Sequence, residues 1–371
     1  MIQAHGLTHR VLLLIDHLDV GGAQHHVALL AERLTAAGHD VVLAHAGPVG
    51  LPIAPNVRLV QLLAERVSRR PSLELAAAAC QLARVFRPTI VHAHLFGSAI
   101  AGAAVSRSCG APLVLSHHSV GSWQGPAERT QLASAIRQAR FHLAASPQIA
   151  ASLERAGVPK QMVSFLPNAI EVPVEPAPRP PASKQLRVGY LARLSQDKNP
   201  LGGLEAIALA RSSGIPLTLE MAGDGELRPD VEAALARLGL EALVKRSGFI
   251  RDIRSFFSRV DVLLLPSRSE GMPLAILEAM ANEVPVVATR VGAIDQQVNH
   301  GVTGLLVEPG DNRSVAQALA WMHRHPVLRL EMGRAGRRRL VERFSLTQQC
   351  SRILSTYRLV ARESAARVAA S

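Results

Sequence analysis

Five prolines fall within the thirteen residues Glu171 to Ser183, a stretch with little that can pack. Such a segment predicts an extended linker and splits the chain into two folding problems. On its N-terminal side, strand-length apolar runs alternate with helical patterns. Strands are expected at Val11–Ile15, Val41–Ala44, Val57–Leu62, Thr89–His94, Pro112–Ser116 and Phe141–Ala145, with helices between most of them. On its C-terminal side the alternation restarts, with strands at Leu186–Leu191, Leu217–Met221, Val244–Phe249, Val262–Leu265 and Pro285–Ala288. Runs such as Val11-Leu12-Leu13-Leu14-Ile15 have no polar face, which suits a parallel sheet covered on both sides. The expected class is α/β, with two doubly wound, Rossmann-like domains facing across a cleft. The expected division is 1–170, a linker at 171–185, 186–345, and a last helix at 346–371 that crosses back to the first domain.

Hydrophobic residues make up 48% and charged residues 19% of the chain, the balance of a folded globular protein. No apolar run is long enough to span a bilayer. Near the start, Val11–Ile15 is the only apolar run before Asp16, so no signal peptide is expected and the location expected is cytoplasmic. Cys80, Cys109 and Cys350 are odd in number, far apart and outside any metal spacing, as expected for buried free thiols in a reducing compartment. The net charge of +12 invites a polyanion, but aromatics are only 3%, too few for the stacking platforms of single-stranded nucleic-acid binding. The densest basic cluster is Arg334, Arg337, Arg338, Arg339 and Arg343. It is either a solvated surface or a peripheral contact with an anionic membrane.

The most telling stretch runs from Ser267 to Ala281. It follows the strand Val262–Leu265, crosses a short polar loop and opens a helix after Pro273. Glu270 lies in the loop and Glu278 on the helix, while the N–H groups of Gly271 to Ala275 form a candidate anion site. Two carboxylates around an anion site suit a ligand that carries hydroxyls and phosphates together, such as a nucleotide-sugar. The bland alternative is a capped helix with solvated glutamates. Arg193 and Lys198 bracket the loop after Leu186–Leu191, where two cations before a helix suit a diphosphate. Ala222-Gly223-Asp224-Gly225 is a strand-end turn made of good turn formers.

In the first half, Gly21-Gly22 follows the first strand without the full G-x-G-x-x-G or an acidic residue spaced for a ribose, so a dinucleotide site is not supported. The pair either makes a tight turn or lets a ligand approach the backbone. His92 and His94 share one strand face, but no third ligand follows at a supporting distance, and no metal is expected. His117 and His118 close the next strand, where an imidazole can meet a sugar hydroxyl or a developing charge, or be satisfied by backbone.

Taken together, these residues resemble the retaining glycosyltransferase family 4 (group 1), whose fold is GT-B. The resemblance covers nearly the whole chain. Its most specific part is Pro266-Ser267-x-x-Glu270-Gly271-x-Pro273, continued by Glu278-Ala279-Met280-Ala281. The arginine–lysine loop, the Ala-Gly-Asp-Gly turn, Gly248-Phe249 and Gly301-x-x-Gly304 follow in family order. The resemblance implies that Arg193 and Lys198 hold the donor diphosphate and that Glu278 binds the ribose. It places Glu270 and the amides of Gly271, Met272, Pro273 and Leu274 at the donor sugar, although Pro273 has no N–H to offer. Phe249 and Ile250 would meet the base, His118 the sugar, and Gly21 and Gly22 the phosphates and acceptor. It further implies a nucleotide-sugar donor, a glycan or lipid-linked acceptor, and no divalent metal or other cofactor. Two departures stand out. Ala169 replaces the glycine of a Pro-Asn-Gly, and Met272 fills a position often aromatic, so Met272 and His117 are expected to tune sugar specificity. Competing readings are an epimerase or phosphorylase of the same fold and a non-catalytic polyanion- or membrane-binding protein; the latter leaves the paired cations and glutamates without a role.

Overall fold

A computed structural model describes residues 8–19, 21–65, 73–118, 126–179 and 183–370. The chain forms two compact units, Met1–Asn168 with Leu346–Ser371, and Ala169–Ser345.

In the first unit the order is β1 (Arg10–Leu18), α1 (Gly22–Ala36), β2 (Asp40–Val49), β3 (Arg58–Leu63), α2 (Leu73–Phe86) and β4 (Ile90–His94). Then come α3 (Phe96–Cys109), β5 (Leu113–His117), α4 (Pro126–Gln138), β6 (Phe141–Ala144), α5 (Pro147–Arg155) and β7 (Val163–Phe165). The sheet is parallel, in the order β3-β2-β1-β4-β5-β6-β7. Val11 to Ile15 in β1 are wholly buried, as an all-apolar central strand requires. Strand order reverses between β1 and β4, and ligands of doubly wound sheets collect beyond the carboxyl ends of strands at such a point.

The second unit repeats the scheme with β8 (Leu186–Leu191), α6 (Pro200–Ser212), β9 (Leu217–Ala222), α7 (Arg228–Leu238), β10 (Val244–Gly248), α8 (Ile253–Phe257) and β11 (Val262–Leu265). It continues through α9 (Leu274–Ala281), β12 (Val286–Thr289), α10 (Ile294–Gln297), β13 (Gly304–Val307), α11 (Asn312–Arg324) and α12 (Pro326–Arg343). Its parallel sheet runs β10-β9-β8-β11-β12-β13, so the reversal lies between β8 and β11. The last helix, α13 (Leu346–Ala370), belongs to the first unit and packs on α1.

Several expectations change. The described part of the proline-rich stretch is not a bare linker, because its carbonyls, left without a strand partner, are claimed by side chains of the second unit. Arg337 donates to Pro173 and Val174, and Arg254 to Glu175 and Pro176. Asn282 Oδ1 accepts from the Ala177 amide at 3.0 Å. Residues 180–182 of the stretch lie outside the described residues. The arginine cluster is likewise not one basic surface, since Arg339 donates to Gln297 and Gln296 carbonyls while Arg337 ties down the strap. Cys80, Cys109 and Cys350 are free thiols, but Cys109 is exposed and Cys80 half-buried; Cys350 alone is buried. Among the described residues, no helix is long and apolar enough to cross a membrane.

Candidate functional site

The second unit gathers its candidate residues at the β8/β11 reversal. The loop after β8 carries Arg193 and Lys198, and the loop after β11 carries Glu270. Lys198 Nζ lies 2.6 Å from Glu270 Oε2, and Ser267 Oγ donates to Glu270 Oε1 at 2.8 Å. Both carboxylate oxygens are therefore engaged, and the Glu270 side chain is only 4% exposed. Asp197 Oδ2 stands 3.5 Å from the same ammonium. Ser267 belongs to the Pro266-Ser267-x-x-Glu270 motif, but the sequence assigned its hydroxyl no role, and the structure gives it Glu270.

The two loops are stitched to one another. The Asp197 carbonyl accepts from the amides of Arg268 and Ser269, at 2.7 and 3.3 Å. Asn199 Nδ2 donates to the Pro266 carbonyl at 3.1 Å. The buried Tyr190 hydroxyl donates to the carbonyls of Arg193 and Lys198, at 3.2 and 3.4 Å, pinning both ends of the cationic loop. Two glycines make this packing feasible. At Gly223, with φ +137°, a Cβ would sit 1.8 Å from the Ala192 carbonyl oxygen; at Gly292, with φ +59°, it would sit 1.9 Å from that of Glu270. The Ala-Gly-Asp-Gly turn is thus the buttress of the Arg193 loop, more than an assembly of turn formers.

Arg193 is exposed, and its guanidinium has no hydrogen bond or ion pair among the described residues. Pro273 precedes α9 without a side-chain cap, so the first amides of α9, Leu274 among them, remain without intrahelical partners. Gln297 braces this helix start by donating to the Pro273 carbonyl at 3.0 Å. Glu278 lies on α9, half-buried and without an ion-pair partner among the described residues, and burial pushes its carboxyl up to about 7. Phe249 is 60% exposed, beside Ile250, which packs on the core. Gly271 is half-buried, and its carbonyl accepts from the Ala293 amide at 2.9 Å. Met272 departs from expectation, because its side chain is buried in the apolar core with Phe256, Ile276 and Leu277. An apolar thioether at this loop end gains more from that core than from solvent.

In the first unit, Gly21 caps α1 with extended backbone, and a Cβ there would crowd the end of the Gln24 side chain at 2.4 Å; Gly22 opens the helix. His118 follows β5, with its Nε2 3.1 Å from His94 Nδ1. His117 turns to the other side of the strand, where its Nε2 meets His142 Nδ1 at 3.1 Å. That alternation puts the His117 and His118 rings on opposite faces of the strand. His92 bonds Tyr357 of α13 through Nδ1 at 2.7 Å and Ser116 through Nε2 at 2.8 Å. Asp16, at the end of β1, accepts from the Gly97 and Ser98 amides at 3.0 and 2.6 Å and so caps α3. Burial holds His26, His92, His117 and His118 down to about 3, so all four are neutral near pH 7. Among the described residues, no three His, Cys, Asp or Glu side chains are grouped to hold a metal ion. Tyr357 and Ser116 escaped the sequence reading because they become partners only through the sheet and the returning helix.

Two doubly wound units of this topology make up the GT-B architecture, and the family matches give it its class. Residues 20–172 match the family described as Glycosyltransferase Family 4, and residues 185–325 match Glycosyl transferases group 1. The chain belongs to these group 1 glycosyltransferases. It is 27% identical over 358 residues to the D-inositol 3-phosphate glycosyltransferase of Arthrobacter sp. (strain FB24), spanning 85% of each chain. It is 25% identical to the 2-deoxystreptamine glucosyltransferase of Streptomyces kanamyceticus, over 84% of this chain and 93% of that one. The fold is similar to that of Anabaena HepE in complex with UDP, with a TM-score of 0.80 at 21% identity, over 94% of this chain and 99% of that one.

Proposed function

We propose that the enzyme transfers a sugar from a nucleoside-diphosphate sugar to a hydroxyl-bearing acceptor, with retention of anomeric configuration and no divalent metal. The observation that carries this reading is the Lys198–Glu270 pair, set at the β8/β11 reversal beside the uncapped start of α9 and the unpaired Arg193. The HepE complex with UDP supports a nucleotide donor of this kind.

In this reading, Arg193, Lys198 and the first amides of α9 take the diphosphate, supplying preorganised positive charge where the leaving group becomes negative. The backbone around Phe249 and Ile250 takes the base, and Glu278 accepts from the ribose hydroxyls. Glu270 and the backbone of Gly271 orient the sugar, His118 contacts it near the reacting carbon, and Gly21 and Gly22 admit phosphate and acceptor. The bond from the anomeric carbon to the phosphate oxygen breaks as the acceptor oxygen bonds from the same face. The acceptor's proton passes to the departing phosphate. Glu270 is a positioning residue here and not a nucleophile, since Lys198 and Ser267 already engage both its oxygens.

The acceptor proposed is a glycan or lipid-linked glycan of cell-envelope, exopolysaccharide or glycolipid synthesis. The two relatives are named for D-inositol 3-phosphate and 2-deoxystreptamine, which adds small polyols to the acceptors to be tried once the donor is known. Thermal stability is screened against UDP-, GDP-, ADP- and CMP-sugars, with and without a chelator. Stabilisation by a UDP-, GDP- or ADP-sugar that survives chelation is expected; stabilisation by the CMP-sugar alone, which has a single phosphate, counts against a diphosphate donor. Stabilisation by none, or only with added metal, rejects the reading.

A further inference from the structure

β4 and β5 are neighbours in the first sheet, with His94 opposite Ser116 and His118 two residues beyond it. His94 Nδ1 and His118 Nε2 are 3.1 Å apart, and the rings meet edge to edge with near-parallel planes, centroids 5.4 Å apart at an interplanar angle of 23°. Burial keeps both imidazoles neutral near pH 7. Between two neutral imidazoles, one nitrogen donates and the other accepts, so the hydrogen bond ties their tautomers together.

The surroundings decide which way it runs. His94 Nε2 is buried without a partner. An orphaned buried N–H is rarer than an unpaired acceptor, which favours placing the His94 proton on Nδ1, where an acceptor stands. His92, whose ring centroid is 4.3 Å from that of His94, cannot relieve Nε2 because both its nitrogens are taken by Tyr357 and Ser116. The His118 nitrogen that faces His94 then accepts, and the His118 proton sits on Nδ1, which has no partner among the described residues. His26 flanks the His118 ring edge-on, with centroids 5.6 Å apart.

We propose that His94 is a positioning residue for glycosyl transfer: by donating from Nδ1 to His118 Nε2, it fixes the ring and tautomer in which His118 offers an Nδ1–H to an oxygen of the donor sugar. This rests on the reading of His118 as a residue that contacts substrate. Without His94 Nδ1, the His118 ring loses its anchor and exchanges its proton between both nitrogens, while the second unit's hold on the nucleotide is untouched.

The test is ring nitrogen-15 NMR of the full-length protein, with the His118 signals assigned by their loss in His118→Ala. Wild type is expected to show His118 in the single Nδ1–H form. His94→Phe, which keeps a ring but no nitrogen, and His94→Gln, whose amide reaches the Nε2 position instead, are both expected to give averaged tautomers. His94→Asn, with its amide near the Nδ1 position, is expected to restore the single form. Kinetics use whichever of UDP-, GDP- or ADP-glucose turns over. There, His94→Phe and His94→Gln lower kcat roughly tenfold at nearly constant donor KM, as the loss of one hydrogen bond predicts, and His94→Asn recovers most of it. Unchanged His118 signals in a folded His94→Phe or His94→Gln overturn the proposal. So does an Nε2–H form of His118 in wild type. If His118→Ala loses transfer while His94→Phe and His94→Gln keep wild-type kcat, the inference about His94 fails and the reading of His118 stands. Full activity in His118→Ala ends both.

Discussion

Lys198 Nζ and Glu270 Oε2, seventy-two residues apart in sequence, meet at 2.6 Å where the second sheet reverses its strand order. The cation proposed for the diphosphate and the carboxylate proposed for the sugar are thus each other's partner. In the proposed site, a donor that draws on Lys198 shares it with Glu270, which would tie the orientation of the sugar to the grip on the phosphates.

Removing one member of this pair costs folding stability as well as binding. Lys198→Met leaves the nearly buried Glu270 carboxylate with Ser267 alone, a loss of about 3 kcal/mol for a broken buried ion pair. Glu270→Gln leaves the less buried ammonium close to Asp197 and costs less. The double variant Lys198→Met/Glu270→Gln recovers most of the stability, because no uncompensated charge is left inside. Urea unfolding of the three variants checks this, and a Lys198→Met protein as stable as wild type defeats it.

Arg193→Ala behaves differently. Its guanidinium is exposed and has no partner among the described residues, so the melting temperature in buffer stays within the small range of ordinary surface changes. The added stabilisation by a nucleotide-sugar, however, largely disappears. An undiminished ligand-induced shift in Arg193→Ala removes Arg193 from the phosphate site.

Much of this was legible in the chain itself. Strand runs with no polar face, such as Val11–Ile15 and Val262–Leu265, announce parallel sheets because a central strand is buried on both sides. The loop residues Arg193, Lys198 and Glu270 stand out because charged side chains at strand ends are seldom needed for packing. What stayed hidden depends on three-dimensional pairing. β7 is too short and half-buried to give a pattern, and β13 begins with a glycine. Met272 looked like a pocket residue until the core claimed its side chain, and the proline-rich strap looked free until Arg337 and Arg254 took its carbonyls. Tyr357 and His92 are 265 residues apart, and no local periodicity links them.

The buttress beneath the Arg193 loop gives a sharp steric test. Gly223→Ala forces a Cβ to within 1.8 Å of the Ala192 carbonyl oxygen at φ +137°, so backbone must move. The expected cost is about 2–4 kcal/mol, at the high end for a single substitution. Because the loop shifts, donor affinity falls too. Unfolding and binding measured together check the pair of effects; a Gly223→Ala protein with wild-type stability contradicts the geometry.

The returning helix can be tested in the same way. Tyr357→Phe deletes the hydroxyl that bonds His92 Nδ1 at 2.7 Å and leaves a buried imidazole nitrogen unpaired. A loss of about 1–2 kcal/mol is expected, read by denaturant unfolding, with the nucleotide-induced shift kept because the residues proposed for the nucleotide belong to the second unit. A loss of that shift alongside unchanged stability counts against this division of labour.

Glu278 makes the binding depend on pH, with a sign that can be worked out. Burial lifts its carboxyl from an ordinary value near 4.5 to about 7. Between those values the folded protein holds a proton that the unfolded chain has released, so this group's contribution to stability falls as pH rises through the window and then levels off. Nucleotide binding runs the other way. A ribose hydroxyl donates best to a carboxylate, so UDP affinity, where UDP is the nucleotide accepted, rises as pH climbs from about 6 towards 8. The buried histidines His26, His92, His117 and His118 are held down to about 3 and do not titrate in this range. In Glu278→Gln, stability at pH 8 increases on the order of 1–2 kcal/mol, because a carboxylate no longer has to be buried, while the rise in UDP affinity between pH 6 and 8 shrinks to what deprotonation of UDP's own terminal phosphate supplies. Calorimetric titration with UDP at both pH values, for wild type and E278Q, reads the two slopes directly. Equal slopes would mean that the titrating group is not Glu278.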